Sequence, residues 1–301
     1  MQFLETYRYI VASLALGAIA VWASENFFRV ASPADLTAVE WVLMVGVYSL
    51  ASASALTAIA VTGFGGLSAA FLGGAIMGYL IEGAIVATIY DAFPFQLVWA
   101  PLAWHALISG GVVLGLGRCS ARFGPFKMAL IWLTLGLLGG AWALFWPTER
   151  ADLPGVWSLM AYLLGLGLVV PAAHLALDKI AVVPRPPRWV LAVAPVCMLI
   201  SWMLQTGVSL NPLRLVLLPI LAGLCWIMRR LGAGQAVSFG TPAKRLWHHA
   251  LFLITPFTTA LIAALGWANI SGIPTNILVA LVTYAVSLGW LGRLVWRAAR
   301  V

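Results

Sequence analysis

The feature that most limits how this chain can fold is a succession of apolar runs, each about 20 residues long, the length a helix needs to cross a bilayer. The intervening segments are too short to hold a soluble domain. Runs are expected at about 7–24, 39–61, 66–89, 96–117, 127–146, 155–177, 188–206, 212–229, 247–267 and 274–296. No water satisfies backbone N–H and C=O groups in hydrocarbon, so such runs must be helices. Of the 301 residues 63% are hydrophobic and 9% charged, against about 25% charged in a soluble domain. The expected fold is an all-α integral membrane protein of about ten transmembrane helices. It forms one membrane domain, residues 1–301, which the helix count allows to divide into five-helix halves at 1–150 and 151–301. No sequence match between the halves is evident.

Charge placement sets the expected orientation. Arg8, Arg118, Arg122, Lys127, Lys179, Arg185, Arg188, Arg229, Arg230, Lys244, Arg245, Arg293, Arg297 and Arg300 fall on one side of the alternation, 14 of the 17 basic residues. Arg29, Arg150 and Arg214 fall on the other, with Glu25, Asp35, Asp91, Glu149 and Asp152. Basic loops stay in the cytoplasm, so both termini are expected there. The net charge of +8 is an orientation signal on this reading, and no nucleic-acid partner is expected. The expected location is a bacterial inner (plasma) membrane. The amino-terminal run reads as a first span: it is long for a signal peptide, carries Glu5 before it and ends in a poor cleavage site. Cys119, Cys197 and Cys225 are widely separated, and no disulfide is expected.

Residues 78–109 stand out. Glu82 lies deep in the third run, Tyr90 and Asp91 form a short polar turn, and Trp99, Pro101, Trp104 and His105 follow. An ionisable side chain at that depth is costly and marks a functional position by default. Gly74, Gly78 and Glu82 recur every four residues, which puts Glu82 on a close-packing helix face turned toward protein. Pro101, His105 and Ser109 share a face of the fourth run in the same way. About nine residues separate Glu82 from the turn, and His105 lies about eleven beyond it, so at 1.5 Å per residue they reach similar depth. Glu82 and His105 are therefore expected to face each other, and Trp99 and Trp104 to be aromatic-belt residues or cavity walls.

Other candidates are sparser. Glu25 and Arg29 are spaced to pair, and Arg214 at the start of the eighth run is free to snorkel or to meet Glu25, Asp91 or an anion. Ser49, Ser52 and Thr57 offer a polar stripe on the second run. His174 and Asp178 share a helix face, and a metal site with His248 or His249 is geometrically conceivable, but no clustered ligand motif supports it and no metal or cofactor is expected. Pro101, Pro171, Pro195, Pro219 and Pro256 interrupt five runs, a pattern suited to helices broken around a cavity.

Ten spans in about 300 residues, both termini inside and a 5+5 division resemble the drug/metabolite transporter superfamily in topology, with no accompanying motif. The leading expectation is a carrier of a small solute or lipid-like metabolite. Glu82 and His105 would handle a proton, and Trp99, Trp104, Arg214 and Glu25 would meet the substrate. The alternatives are an intramembrane enzyme on a lipid or isoprenoid, using Glu82, His105, Asp91 and Tyr90 as acid/base groups, and a non-catalytic assembly subunit. The sequence carries no G-x-S-x-G elbow and no phosphate-binding glycine loop.

Overall fold

The computed structural model describes residues 2–29, 31, 37–150, 152–240, 247–270 and 273–301. Among them are ten helices long and apolar enough to cross a membrane and no strand beyond one isolated bridge. They are α1 (Gln2–Asn26), α2 (Ala38–Thr62), α3 (Leu67–Ile85), α4 (Gln96–Cys119), α5 (Arg122–Glu149), α6 (Val156–Ile180), α7 (Arg188–Ser209), α8 (Pro212–Leu231), α9 (Trp247–Trp267) and α10 (Thr275–Arg300). The expected runs match these helices one for one, with ends displaced by a few residues. Asp35, Lys244 and Arg245 lie outside the described residues.

Helix α3 is the axis of the bundle. Of its apolar window 78% is buried, against 22% in α7 and α10. It packs on α2 and most extensively on α4. One hydrophobic core joins α2, α3 and α4 to α7, α8 and α10. A second joins α1, α2 and α4 to α5, α6 and α9. The first four helices thus form a central group flanked on two sides.

Both termini lie at one end of the bundle. There the Arg185 N–H donates to Glu5 Oε2 at 2.9 Å, and Arg230 Nε donates to the Ala298 carbonyl at 3.3 Å. A strap follows α8 at this end. The Val183 N–H donates to the Val237 carbonyl (2.8 Å) and the Phe239 N–H to the Ala181 carbonyl (2.9 Å), forming the bridge between Val182 and Ser238. Arg185 Nη2 donates to the carbonyls of Gly234 and Gln235.

Local sequence explains the central packing. A Cβ at Gly78 would lie 2.6 Å from His105 Cβ, and one at Gly74 would lie 2.5 Å from the His105 carbonyl oxygen, so only glycine lets α3 and α4 approach this closely. Pro101 lacks an N–H, which leaves the Leu97 carbonyl without its helical donor. The Tyr79 hydroxyl on α3 fills that vacancy at 2.7 Å. From Trp99 to Leu116, α4 is wound as a π-helix. The prolines differ in effect: Pro195 lies inside a continuous helix, whereas Pro101 sits at the start of this altered winding.

Candidate functional site

Three π-wound segments occur among the described residues: Trp22–Asn26, Ile81–Ile85 and Trp99–Leu116. Together they supply Ser24 and Glu25, Glu82, and His105 with Ser109, all of which gather in one place. Insertions of π winding in helices concentrate at functional positions because they re-aim side chains.

At the centre His105 Nε2 lies 3.0 Å from Glu82 Oε1. Thr88 Oγ1 donates to Glu82 Oε2. On the other edge of the imidazole, Nδ1 is 2.9 Å from Ser24 Oγ, which is 3.2 Å from Ser109 Oγ. The side chain of Glu82 keeps 14% of its surface accessible and that of His105 only 2%, so Glu82 is the outward member of the pair.

The hydrogen-bond chain closes in two ways. Neutral His105 donates from Nε2 to the carboxylate and accepts at Nδ1 from the Ser24 hydroxyl. Protonated His105 donates at both nitrogens, and Ser24 then accepts and turns its own proton toward Ser109. Rotation of two hydroxyls converts one arrangement into the other without moving a helix.

A second carboxylate adjoins the first. Tyr48 donates to Glu25 Oε1 at 2.6 Å, and Arg29 Nη2 donates to Glu25 Oε2 at 2.9 Å. The Tyr48 ring centroid is 6.0 Å from that of His105. Glu25 thus pairs with Arg29 as its spacing implies.

The remaining sequence candidates are placed elsewhere. Asp91 is exposed at the turn. The chain reverses after α3 through Ala87 in a left-handed conformation (φ 71°), and Tyr90 folds back onto α8. Its hydroxyl lies 3.1 Å from the Gly83 carbonyl and 3.4 Å from that of Arg214. Burial pushes the Tyr90 phenol above its ordinary value. The four-residue acid/base group of Glu82, His105, Asp91 and Tyr90 is therefore not assembled.

Arg214 does not snorkel and meets neither Glu25 nor Asp91. It is buried, donates from Nη1 to Gln205 Oε1 at 3.1 Å and stands 5.3 Å from the Tyr90 ring centroid, because the turn of the chain at Asn211–Pro212 tucks it under α7. Trp99 and Trp104 pack edge to face at 5.0 Å, and Trp104 continues to Phe28 (4.2 Å) and Trp142 (5.0 Å). On the second helix Ser49 donates to the Val45 carbonyl and Thr57 to the Leu191 carbonyl, so the expected polar stripe reduces to Ser52 beside Met77.

Below Ser109 the interior is open. A cavity of about 40 Å3 is bounded by Ser52, Met77, Gly74, Ser109 and Leu114. A larger one of about 130 Å3 adjoins it, sharing Leu16, Leu56, Ile59, Ala70 and Leu114, and runs on to Arg118 and the strap residues Val237–Gly240. Trp99 and Trp104 line neither.

Arg118 belongs to the second buried ionic group. Its Nη1 is 2.6 Å from Asp178 Oδ1 and donates to the His174 carbonyl at 3.1 Å, and its Nε donates to the Phe239 carbonyl at 2.8 Å. His249 Nε2 is 2.7 Å from Asp178 Oδ2, and its ring stacks on that of His174 at 5.2 Å. It is thus His249, not His248, that joins His174 and Asp178. His174 Nε2 is taken by the Val113 carbonyl at 3.1 Å, and among the described residues no three His, Cys, Asp or Glu side chains group to hold a metal ion.

Ser24, Thr88 and Tyr48 were not legible as site residues, since hydroxyl side chains in apolar helices usually bond their own backbone. The one available signal was that Ser24 precedes Glu25 at the end of its run. The fold and site define a helical bundle with a buried His–carboxylate pair above an internal cavity. No protein-family model, no curated protein and no solved structure matches the chain.

Proposed function

We propose that this protein is a carrier in a bacterial inner membrane, with both termini cytoplasmic, that moves a small solute or lipid-like metabolite in step with a proton held by Glu82 and His105. The observation that carries the reading is the continuity of the site. Glu82 keeps part of its surface accessible and is bonded by Thr88 from the turn that bears Tyr90, and the Ser24–Ser109 hydroxyls pass inward from His105 to the cavity lined by α1–α4. A proton arriving at Glu82 changes the donor pattern felt by whatever occupies that cavity, which is the coupling a carrier needs. The charge alternation along the sequence supports the orientation. The enzyme reading loses support from the exposure of Asp91 and from the Tyr90 hydroxyl facing backbone carbonyls.

Infrared difference spectra of the protein in nanodiscs, taken across pH with Glu82→Gln as the blank, test the reading. The expected result is a carboxyl band, absent from Glu82→Gln, that changes with pH and shifts when a cell metabolite extract is added. A Glu82 carboxyl that responds to neither is a structural hydrogen-bond partner, and the carrier reading then fails.

A further inference from the structure

We infer that the lower cavity is a binding site for a slim, mainly apolar monocarboxylate, its carboxylate held by Arg118 and its chain lying against Leu16, Leu56, Leu114 and Val237. This rests on the carrier reading only in taking the α1–α4 interior as the solute path.

Arg118 is 6% exposed and is the one charged side chain lining either part of that interior among the described residues. A guanidinium presents five N–H donors in a fixed plane and keeps its charge at any physiological pH. Here the donors are used unequally. Nη1 is occupied by Asp178 and the His174 carbonyl, Nε is occupied by the Phe239 carbonyl, and Nη2 is buried with no hydrogen-bond partner.

The Nε and Nη2 protons point the same way, along the side edge of the guanidinium, the geometry that a carboxylate accepts with both oxygens. That edge is held by one neutral carbonyl on one of its two donors. A ligand carboxylate that displaces the Phe239 carbonyl gains two bonds between opposite charges where one bond to a neutral carbonyl stood, and it leaves the Asp178 contact in place. Among the described residues the rest of the wall is apolar apart from Cys119 and Ser238, too few donors for a phosphate with its larger charge and additional oxygens.

The same exchange opens the site. Phe239 belongs to the strap, and Gly240 (φ 105°) is so close that a Cβ there would lie 2.7 Å from the Arg118 carbonyl oxygen. Releasing the Phe239 carbonyl removes one of the bonds that hold residues 237–240 over the cavity. Binding at Arg118 and lifting of the strap are then one event, at the end of the path opposite Glu82.

The test is calorimetry with hexanoate on the full-length protein in nanodiscs, with empty nanodiscs as blank and hexylammonium, 1-hexanol and inorganic phosphate as comparison probes. Hexanoate is expected to bind wild type. Binding should weaken at least tenfold in Arg118→Gln and partly recover in Arg118→Lys, which restores charge without the fork. Leu114→Trp, which fills the cavity and leaves the bonds of Arg118 intact, should also abolish it, so a folding defect in Arg118→Gln does not decide the outcome. No hexanoate binding to wild type, equal binding of hexylammonium, hexanol or phosphate, or undiminished binding in Arg118→Gln or Leu114→Trp overturns the inference. Calorimetry involves no proton movement across a membrane. A Glu82 carboxyl that fails to respond to pH therefore sinks the carrier reading alone, and loss of hexanoate specificity sinks this site alone.

Discussion

The two buried ionic groups of this protein use similar parts and differ in what those parts can do. Each contains a histidine bound to a carboxylate, at 3.0 Å for His105 and Glu82 and at 2.7 Å for His249 and Asp178. Each has a member on α4, His105 in one and Arg118 in the other. Around His105 the remaining partners are hydroxyls, which reverse donor and acceptor roles by rotating. Around Asp178 the partners include a guanidinium, itself tied to backbone carbonyls that only accept. The first group can reverse its hydrogen-bond directions without moving a helix. The second presents a fixed positive charge. One helix therefore joins a His–carboxylate pair with reversible hydroxyl partners to a permanent cation.

Stability separates the two groups most sharply. Arg118→Gln removes a charge from a pair with 6% and 14% side-chain exposure, and breaking such a pair costs about 3–5 kcal/mol. Glu82→Gln keeps an acceptor for His105 and a partner for Thr88, so about 1 kcal/mol is expected. Denaturant or thermal unfolding of the two variants in the same detergent checks this. Equal losses would mean that both groups are structural, and the contrast between them would disappear.

Next in size is Gly78→Ala. The added methyl group would meet His105 Cβ at 2.6 Å and the Pro101 carbonyl at 2.9 Å, and overpacking of this kind costs about 1–3 kcal/mol. The displacement falls on His105 and not on Arg118. The pH-dependent carboxyl band of Glu82 should therefore be altered, while hexanoate binding is kept. Loss of both would show that α4 transmits the disturbance along its length.

The expected helices match the observed ones because hydropathy alone decides which segments can be helices in lipid. The meeting of Glu82 and His105 was legible as well: it follows from rise per residue on either side of a short turn, together with the glycine face of α3. Tyr90 and Asp91 lie in the expected turn, but the swing of Tyr90 onto α8 is hidden because the backbone reversal at Ala87 has no sequence signature; alanine seldom adopts positive φ. The π winding of α4 was equally hidden, since a single proline does not reveal how far the altered winding extends. Arg118 read as an orientation charge because loop arginines usually are. Its burial depends on a strap from residues about 120 positions later, which no local pattern predicts.

The smallest effects test the hydroxyl relay itself. Ser24→Ala removes the partner of His105 Nδ1 and costs about 1 kcal/mol of stability. It also interrupts the only hydrogen-bonded route from His105 to Ser109 seen among the described residues. Tyr48→Phe removes a bond of 2.6 Å to Glu25, but that carboxylate keeps Arg29 and the aromatic ring stays beside His105. In proteoliposomes carrying an internal pH dye, Ser24→Ala is expected to slow proton entry clearly more than Tyr48→Phe. The order is informative because the two substitutions remove one hydroxyl each from neighbouring positions. If Tyr48→Phe has the larger effect, the proton travels by way of Glu25 and Arg29, and the His105–Ser24–Ser109 chain is a bystander to it.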